Sequence, residues 1–336
     1  MGKLLWGTLL LVLALIGMPL LLGGGGAGAQ GTEPTPTESA APSPAPSADP
    51  EGSADGEHLV WVADGAGGTE QLSLRDYLPG VVAAEMPAAY HPDALRAQAV
   101  AARTYILYKE TVTTAAHPEA AVCRDSSCCK AWLSPQELRE RWGENYSLWW
   151  DKICAAVEDT DGMYLSYDGQ AIQAVFHASS PGRTEDSAAL WGAAPYLVSV
   201  DSPETAETVA GLVSEVTVDA ESFRSAILAL DAGADLTGDP GGWVGEASLT
   251  EGGRVDTLPI GGVPFSGQAL RTAFSLRSAA FTLRWDGSAF VFTVSGYGHG
   301  VGMSQVGADL LAEEGMTWEE ILAHYYPGTA LERLDA

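Results

Sequence analysis

Leu4–Leu22 is a run of 19 residues without a charge, preceded only by Lys3. That is near the length needed to span a bilayer, and Pro19 falls close to its outer end, where a kink is tolerated. With the basic residue on the short N-terminal side, the bulk of the chain is expected outside the cytoplasm. A cleaved signal peptide is the competing reading, since Ala27-Gly28-Ala29 offers small residues for a peptidase. The length of the apolar run favours an anchor. On either reading the working part folds in an extracytoplasmic setting.

Residues 23–57 are mostly Gly, Pro, Ser, Thr, Ala and acids. They cannot bury enough apolar surface to offset the cost of ordering, so they are expected to be a disordered tether. From His58 to Ala336 the pattern is globular. The chain of 336 residues has 46% hydrophobic residues and 10 tryptophans, enough for a sizeable core. Seventeen basic against 44 acidic side chains give a net charge of -27, which repels phosphate backbones and argues against nucleic acid as a partner. A sugar polymer, gripped by hydrogen bonds and stacking, is not excluded.

Leu59–Val62 reads as a first strand, and Leu72–Tyr77 leads into Gly80–Pro87. Pro92 and Asp93 suit the first turn of a helix, and Leu95, Ala99, Ala102 and Ile106 recur at helical spacing to about Glu110. A further helix is expected over Pro135–Val157, then paired strands in Met163–Phe176 around an Asp168-Gly169 turn. Thr205–Ala273 mixes a short helix near Phe223 with Gly- and Asp-rich loops. Phe281–Trp285 and Phe290–Val294, joined at Asp286-Gly287, predict a hairpin. A glycine-rich loop, Gly296–Gly302, precedes a helix over Ser304–Glu314. The last helix opens with Thr317 and Glu320 in a capping-box arrangement. The mixture predicts an α+β domain with mixed sheets and helices and a smaller lobe inserted near 200–275.

Glu85 is the only charge in Val81–Pro87. Apolar surroundings disfavour an ionised carboxyl, which suits a general acid; the alternative is a structural pairing with Arg96 or Arg103. In the alanine-rich stretch Ala94–Arg103, Gln98 and Arg103 supply long polar groups. His177 lies in His177-Ala-Ser-Ser-Pro-Gly-Arg-Thr184, beside Ser179 and Ser180. His299 sits in the glycine-rich loop near Ser304 and Gln305. Glycines let backbone approach a ligand closely, although either histidine could equally be structural. A serine–histidine–acid triad from Ser179 or Ser180, His299 and an Asp is conceivable, but no nucleophile-elbow pattern supports it. The cysteines are Cys123, Cys128, Cys129 and Cys154, and His117 lies six residues before Cys123. On residue chemistry alone, a disulfide of Cys123 with Cys128 or Cys154 ranks ahead of zinc.

Four blocks taken in order resemble the stage II sporulation protein D family. They are Tyr77–Pro87 with Ala94–Tyr105, Cys123–Trp132, Phe176–Glu185 with Trp191-Gly192 and Pro195–Leu197, and Gly298–Gly307 with His324–Gly328. The resemblance covers about Leu74–Thr329. It implies a lytic transglycosylase acting on peptidoglycan strands already stripped of stem peptides, with Glu85 as its single acid/base. Glu85 would protonate the oxygen between N-acetylmuramic acid and N-acetylglucosamine, then accept the C6 hydroxyl proton to leave a 1,6-anhydro end. Gln98, Arg103, His177, Ser179, His299, Ser304 and Gln305 become candidates for glycan contacts. The resemblance also implies zinc on His117, Cys123 and Cys129, reversing the preference for a disulfide. One departure is Cys128, where the family often has histidine. Expected partners are glycan strands, the membrane through the N-terminal helix, a sporulation amidase and a membrane protein during engulfment. Some relatives instead serve as non-catalytic enhancers of a cell-wall amidase.

Overall fold

The computed structural model describes residues 52–65 and 67–335. The anchor expected at 1–22 and most of the tether expected at 23–57 lie outside the described residues. Among those described, no helix is long and apolar enough to cross a membrane. The folded chain reaches back into the stretch assigned to the tether. Ala54–Glu57 is a short helix capped by Ser53, and its Asp55 is buried.

The helix Pro92–Glu110 is the axis of the larger core, with the boundaries expected from its spacing. Ala94, Ala97, Ala99, Ala101 and Ala102 are all buried, as are Leu95, Val100 and Ile106. Side chains this small let neighbours approach from every side. Packed around the axis are the helices Leu74–Glu85, Tyr146–Glu158, Gln305–Glu313 and Trp318–Tyr325, and the strand Met163–Tyr167. Deep in this core the Arg103 guanidinium is fully enclosed. Its Nε and Nη2 donate to the two Asp55 carboxylate oxygens at 2.7 and 2.6 Å, and its Nη1 to the Met163 carbonyl at 2.9 Å.

A second core gathers around Phe223, Phe290 and Phe292, with Phe223 and Phe290 stacked at a centroid separation of 3.8 Å. It joins the helix Ala220–Leu230, the three-stranded Val255–Ile260 sheet and the hairpin Phe281–Trp285/Ala289–Ser295, which pairs onward with Val213–Asp219. The predicted hairpin is therefore present. This second cluster includes residues past 275, the end expected for an inserted lobe, because the hairpin packs into it, and Asp49–Ala336 forms one compact unit.

Two local expectations are corrected. Pro135–Val157 is not one helix but two, Pro135–Trp142 and Tyr146–Glu158, interrupted at Gly143 with φ of 55°. The strands after Met163 are short: Met163–Tyr167 pairs with Gln170–Ala171 across Asp168 and Gly169, whose φ values are 51° and 72°. Phe176–His177 instead pairs in parallel with Met303–Ser304. Bridges of Ser179 with Tyr297 and of Glu185 with Val301 continue that seam, bringing the third and fourth sequence blocks side by side.

Candidate active site and metal-ligand cluster

Glu85 is the last residue of the helix Leu74–Glu85 and is partly exposed. A carboxylate there faces the negative end of the helix dipole, which is unfavourable unless compensated. The compensation comes from the chain after the cysteines. The Ala131 backbone N–H donates to Glu85 Oε1 at 2.9 Å, and the Lys130 charge acts on the same carboxylate. Gly80 makes this contact feasible. A Cβ there would collide with the Trp132 ring and the Leu133 carbonyl, so only glycine lets that segment lie against the helix. Leu133 N–H then donates to the Gly80 carbonyl at 3.2 Å.

Lys130 Nζ rests 3.6 Å from the Phe176 ring centroid and 4.7 Å from that of Tyr105. Burial pushes its ammonium down to about 8, against the opposing pull of Glu85. Its charge also reaches His299, which burial, Lys130 and Arg271 together push down to about 3. The His299 imidazole is thus neutral, and its Nδ1 accepts from the Val301 N–H at 3.1 Å. Trp191, half exposed, meets the His299 ring edge-on at 5.0 Å.

Behind His299 lies a buried chain of hydrogen bonds. Arg254 Nη2 donates to Ser180 Oγ at 3.2 Å, and Ser180 Oγ lies 2.6 Å from His177 Nε2. His177 Nδ1 lies 3.2 Å from the Val301 carbonyl. The Val301 carbonyl can only accept, so the neutral His177 carries its proton on Nδ1, and Ser180 gives its own proton to Nε2. Burial, followed by the charges of His299 and Arg254, holds the His177 pKa well below the usual histidine range. Glu204 accepts from the Ser180 N–H at 2.9 Å and from the Ser304 hydroxyl. Arg254 enters from the second lobe across Gly300, where φ is 90° and any Cβ would overlap the guanidinium. A serine–histidine pair does exist here, but it is Ser180 with His177. Its histidine is anchored to a carbonyl rather than an acid, as hydrolytic triads are not.

The seven predicted glycan-contact residues separate on this geometry. His299 is partly exposed. His177, Ser179 and Gln305 are nearly enclosed, while Gln98 and Ser304 are fully so. Gln305 Nε2 donates to Gln98 Oε1 at 3.2 Å, and Ser304 caps the helix that follows it. Arg103 is corrected outright: sealed against Asp55, it presents nothing to a ligand. Composition alone gave no hint of Lys130, Arg254, Arg271 or Glu204. Three of these are charged residues without a neighbouring motif, and Lys130 hid behind the cysteines.

The thiols have gathered without pairing. Cys123, Cys128, Cys129 and Cys154 are all free, so the alternative to a metal, a disulfide of Cys123 with Cys128 or Cys154, is not formed. Ligand atoms of His117, Cys123, Cys128 and Cys129 lie within 4.8 Å of one another. His117 turns Nε2 toward Cys129 Sγ at 3.2 Å, and its Nδ1 lies 2.9 Å from the Ala120 carbonyl. That carbonyl fixes the tautomer as it does behind metal-bound histidines. Three thiols and an imidazole make a closed, soft set that fits a tetrahedral metal. Cys154, on the Tyr146–Glu158 helix, stands apart from this cluster.

This α+β frame, with its partly exposed carboxyl beside a thiol loop and a paired-histidine seam, falls in a class that a family model described as Stage II sporulation protein matches over residues 63–167. Stage II sporulation protein D of Bacillus subtilis is 37% identical over 269 residues, covering 80% of this chain and 76% of that protein. Its namesake in Bacillus amyloliquefaciens is 36% identical over the same shares. A Bacillus subtilis protein named amidase enhancer is 29% identical over 76% of this chain and 40% of its own length. The chain belongs to the stage II sporulation protein D family.

Proposed function

We propose that the domain is a lytic transglycosylase of peptidoglycan, cutting the bond from N-acetylmuramic acid to N-acetylglucosamine in strands freed of stem peptides. The observation that carries this reading is Glu85. It is partly exposed at a helix end, with Oε1 fixed by the Ala131 N–H and Lys130 beside it. In its acid form the carboxyl donates a proton to the departing glycosidic oxygen. In its base form it accepts the proton of the muramic C6 hydroxyl, which closes the 1,6-anhydro ring. One carboxyl serves both steps, whereas simple hydrolysis uses two at a set separation. Glu185 and Glu204, the carboxylates nearest the histidine seam, are both buried and already accept hydrogen bonds, Glu185 from Thr250 and Glu204 from Ser180. Trp191, against the His299 ring, and Tyr297 leave aromatic faces exposed, suited to stacking on sugar rings.

Zinc is the metal that three thiolates and one imidazole suit, held by His117, Cys123, Cys128 and Cys129. Bound there, it would supply rigidity rather than reactivity, because four protein ligands leave no open position. Leu4–Leu22 would tether the domain outside the membrane, with a peptide-removing amidase and a membrane partner acting beside it during sporulation.

The test is mass spectrometry of products from the full chain incubated with peptide-free glycan strands. Anhydro-muramic ends, lost in Glu85→Gln, are the expected result. Reducing ends would make it a hydrolase. Glycan binding without any product would favour the role named by the amidase-enhancer relative.

A further inference from the structure

A cavity of about 550 Å³ opens beside the thiol cluster, lined by Gly67, Gly68 and Ala116 as well as by members of the cluster itself. Three of the four soft ligands, His117, Cys123 and Cys128, line it, whereas Cys129 is buried and does not. Cys128 is also the one ligand of the set that is partly exposed. Its backbone is fixed, because the Asp125 carbonyl accepts from the N–H groups of Cys128 and Cys129 at 3.1 and 2.8 Å. Movement there is left to the side chain. The carboxylates of Asp64, Glu119 and Asp125 line the same cavity, and all three residues are exposed. Asp64 and Asp125 also cap turns, accepting from the Gly68 and Ser127 N–H groups at 2.9 and 2.8 Å. Glu119 has no such duty: among the described residues its carboxylate makes neither a hydrogen bond nor an ion pair. One cation stands in this wall, Arg124, and it is already paired with Glu70 and lies 3.8 Å from the Trp132 ring centroid. A single cavity therefore holds both exposed negative charge and soft ligands.

The free energy of binding a metal at a closed four-ligand site is folding free energy, so such a metal is ordinarily released only when the fold opens. A ligand that faces a solvent-open cavity removes that requirement. Resting on the zinc reading of this cluster, we propose that the cavity is the port through which the metal enters and leaves the folded protein. Asp64, Glu119 and Asp125 raise the local concentration of the hydrated cation, as charge gathered along a cleft does. Cys128 is the ligand that closes last and opens first, and each thiol that binds gives up its proton to solvent. His117 is the fixed end of the set, its Nδ1 held at 2.9 Å by the Ala120 carbonyl. Ala131, two residues past Cys129, holds Glu85, so loading through this port bears on the proposed acid without the domain unfolding.

The probe is zinc alone, with the full chain. Uptake by the metal-free protein is followed by stopped flow, release by a colour-forming chelator in excess, and global unfolding by urea jumps in the same buffer. The parent should release zinc about tenfold faster than it unfolds, or more. Its uptake should slow by about tenfold as salt rises, as steered association does. The triple variant Asp64→Asn, Glu119→Gln, Asp125→Asn keeps the turn acceptors; its uptake should be about tenfold slower and nearly blind to salt. Ala116→Trp adds bulk at an exposed lining position. It should slow uptake and release by the same factor and leave affinity unchanged, the mark of an obstructed route that a merely weakened site would not show. Cys128→Ser should speed release more than it changes uptake, and a variant as slow to release as the parent overturns the part given to Cys128. Release no faster than unfolding in the parent overturns the port, and that comparison needs no variant to fold. Uptake indifferent to salt, to the charge changes and to Ala116→Trp overturns it too. A parent that holds one zinc per chain and behaves so loses the port alone, whereas a parent that holds none loses the zinc reading with it.

Discussion

The Ala131 N–H that holds Glu85 Oε1 at 2.9 Å belongs to a residue only two positions beyond Cys129. The thiol cluster and the acid are therefore mechanically one unit, joined by Cys129, Lys130 and Ala131. On the zinc reading, stripping metal from the cluster should free this loop and let the donor drift from the carboxylate. We expect chelation to cut turnover at least about tenfold and to lower the melting temperature, because loss of a structural metal removes folding free energy directly. Metal analysis, thermal melts and product assays on the same sample check this. Unchanged melting and turnover after complete metal loss would count against the coupling.

Glu85→Gln keeps a side-chain carbonyl that can accept from Ala131 but has no acid proton. The fold should persist and glycan affinity should change little. Cleavage should fall by about 10²-fold or more, the usual weight of a lost general acid. Melting curves beside product release separate the two effects.

Among the described residues, Asp55 carries the counter-charge for the most deeply buried cation, Arg103. Asp55→Ala would leave Arg103 enclosed and unpaired, costing about 3–5 kcal/mol. For a domain of this size that corresponds to a melting temperature lower by about 10 °C. Replacing both partners, Asp55→Leu with Arg103→Met, should recover most of the loss. Urea titrations of the three variants provide the comparison, and an Asp55→Ala protein as stable as the parent would contradict the pairing.

His177 and His299 are both held neutral in the fold, His299 with its pKa near 3 and His177 well below its ordinary value. An unfolded histidine titrates near 6.5, so below that pH the unfolded chain binds protons that the folded one refuses. Stability from this pair is complete above about pH 6.5 and is lost as pH falls from there toward 3. The slope approaches about 1.4 kcal/mol per pH unit for each histidine. Denaturation midpoints measured from pH 8 to pH 4 should show a shallower acid limb in the His177→Asn, His299→Asn double variant than in the parent.

Much of the frame was legible. The helix Pro92–Glu110 announced both its ends, through Pro92 at the start and apolar spacing to Ile106, and the Asp286-Gly287 hairpin announced its turn. The helix Leu74–Glu85 did not, because Pro79 and Gly80 stand in its middle and read as a break. Glu85 and the trio His117, Cys123 and Cys129 could be singled out because their neighbours are distinctive. Arg103 misled, since nothing local reveals that its partner is Asp55, 48 positions away in a stretch that looks like linker. Arg254 and Arg271 were illegible for a related reason. Their meaning comes from a seam between distant segments, and no window of sequence contains both sides of it.

That seam bears on how the chain can be divided. The stretch 63–167 holds Glu85 and the thiols, but the two seam histidines and the arginines that face them lie downstream, at 177, 254, 271 and 299. A fragment that ended near 167 would hold Glu85 and lack both seam histidines. The aromatic cluster around Phe223 shares no member with the core around the helix Pro92–Glu110, so its side chains can vary without disturbing the alanine face.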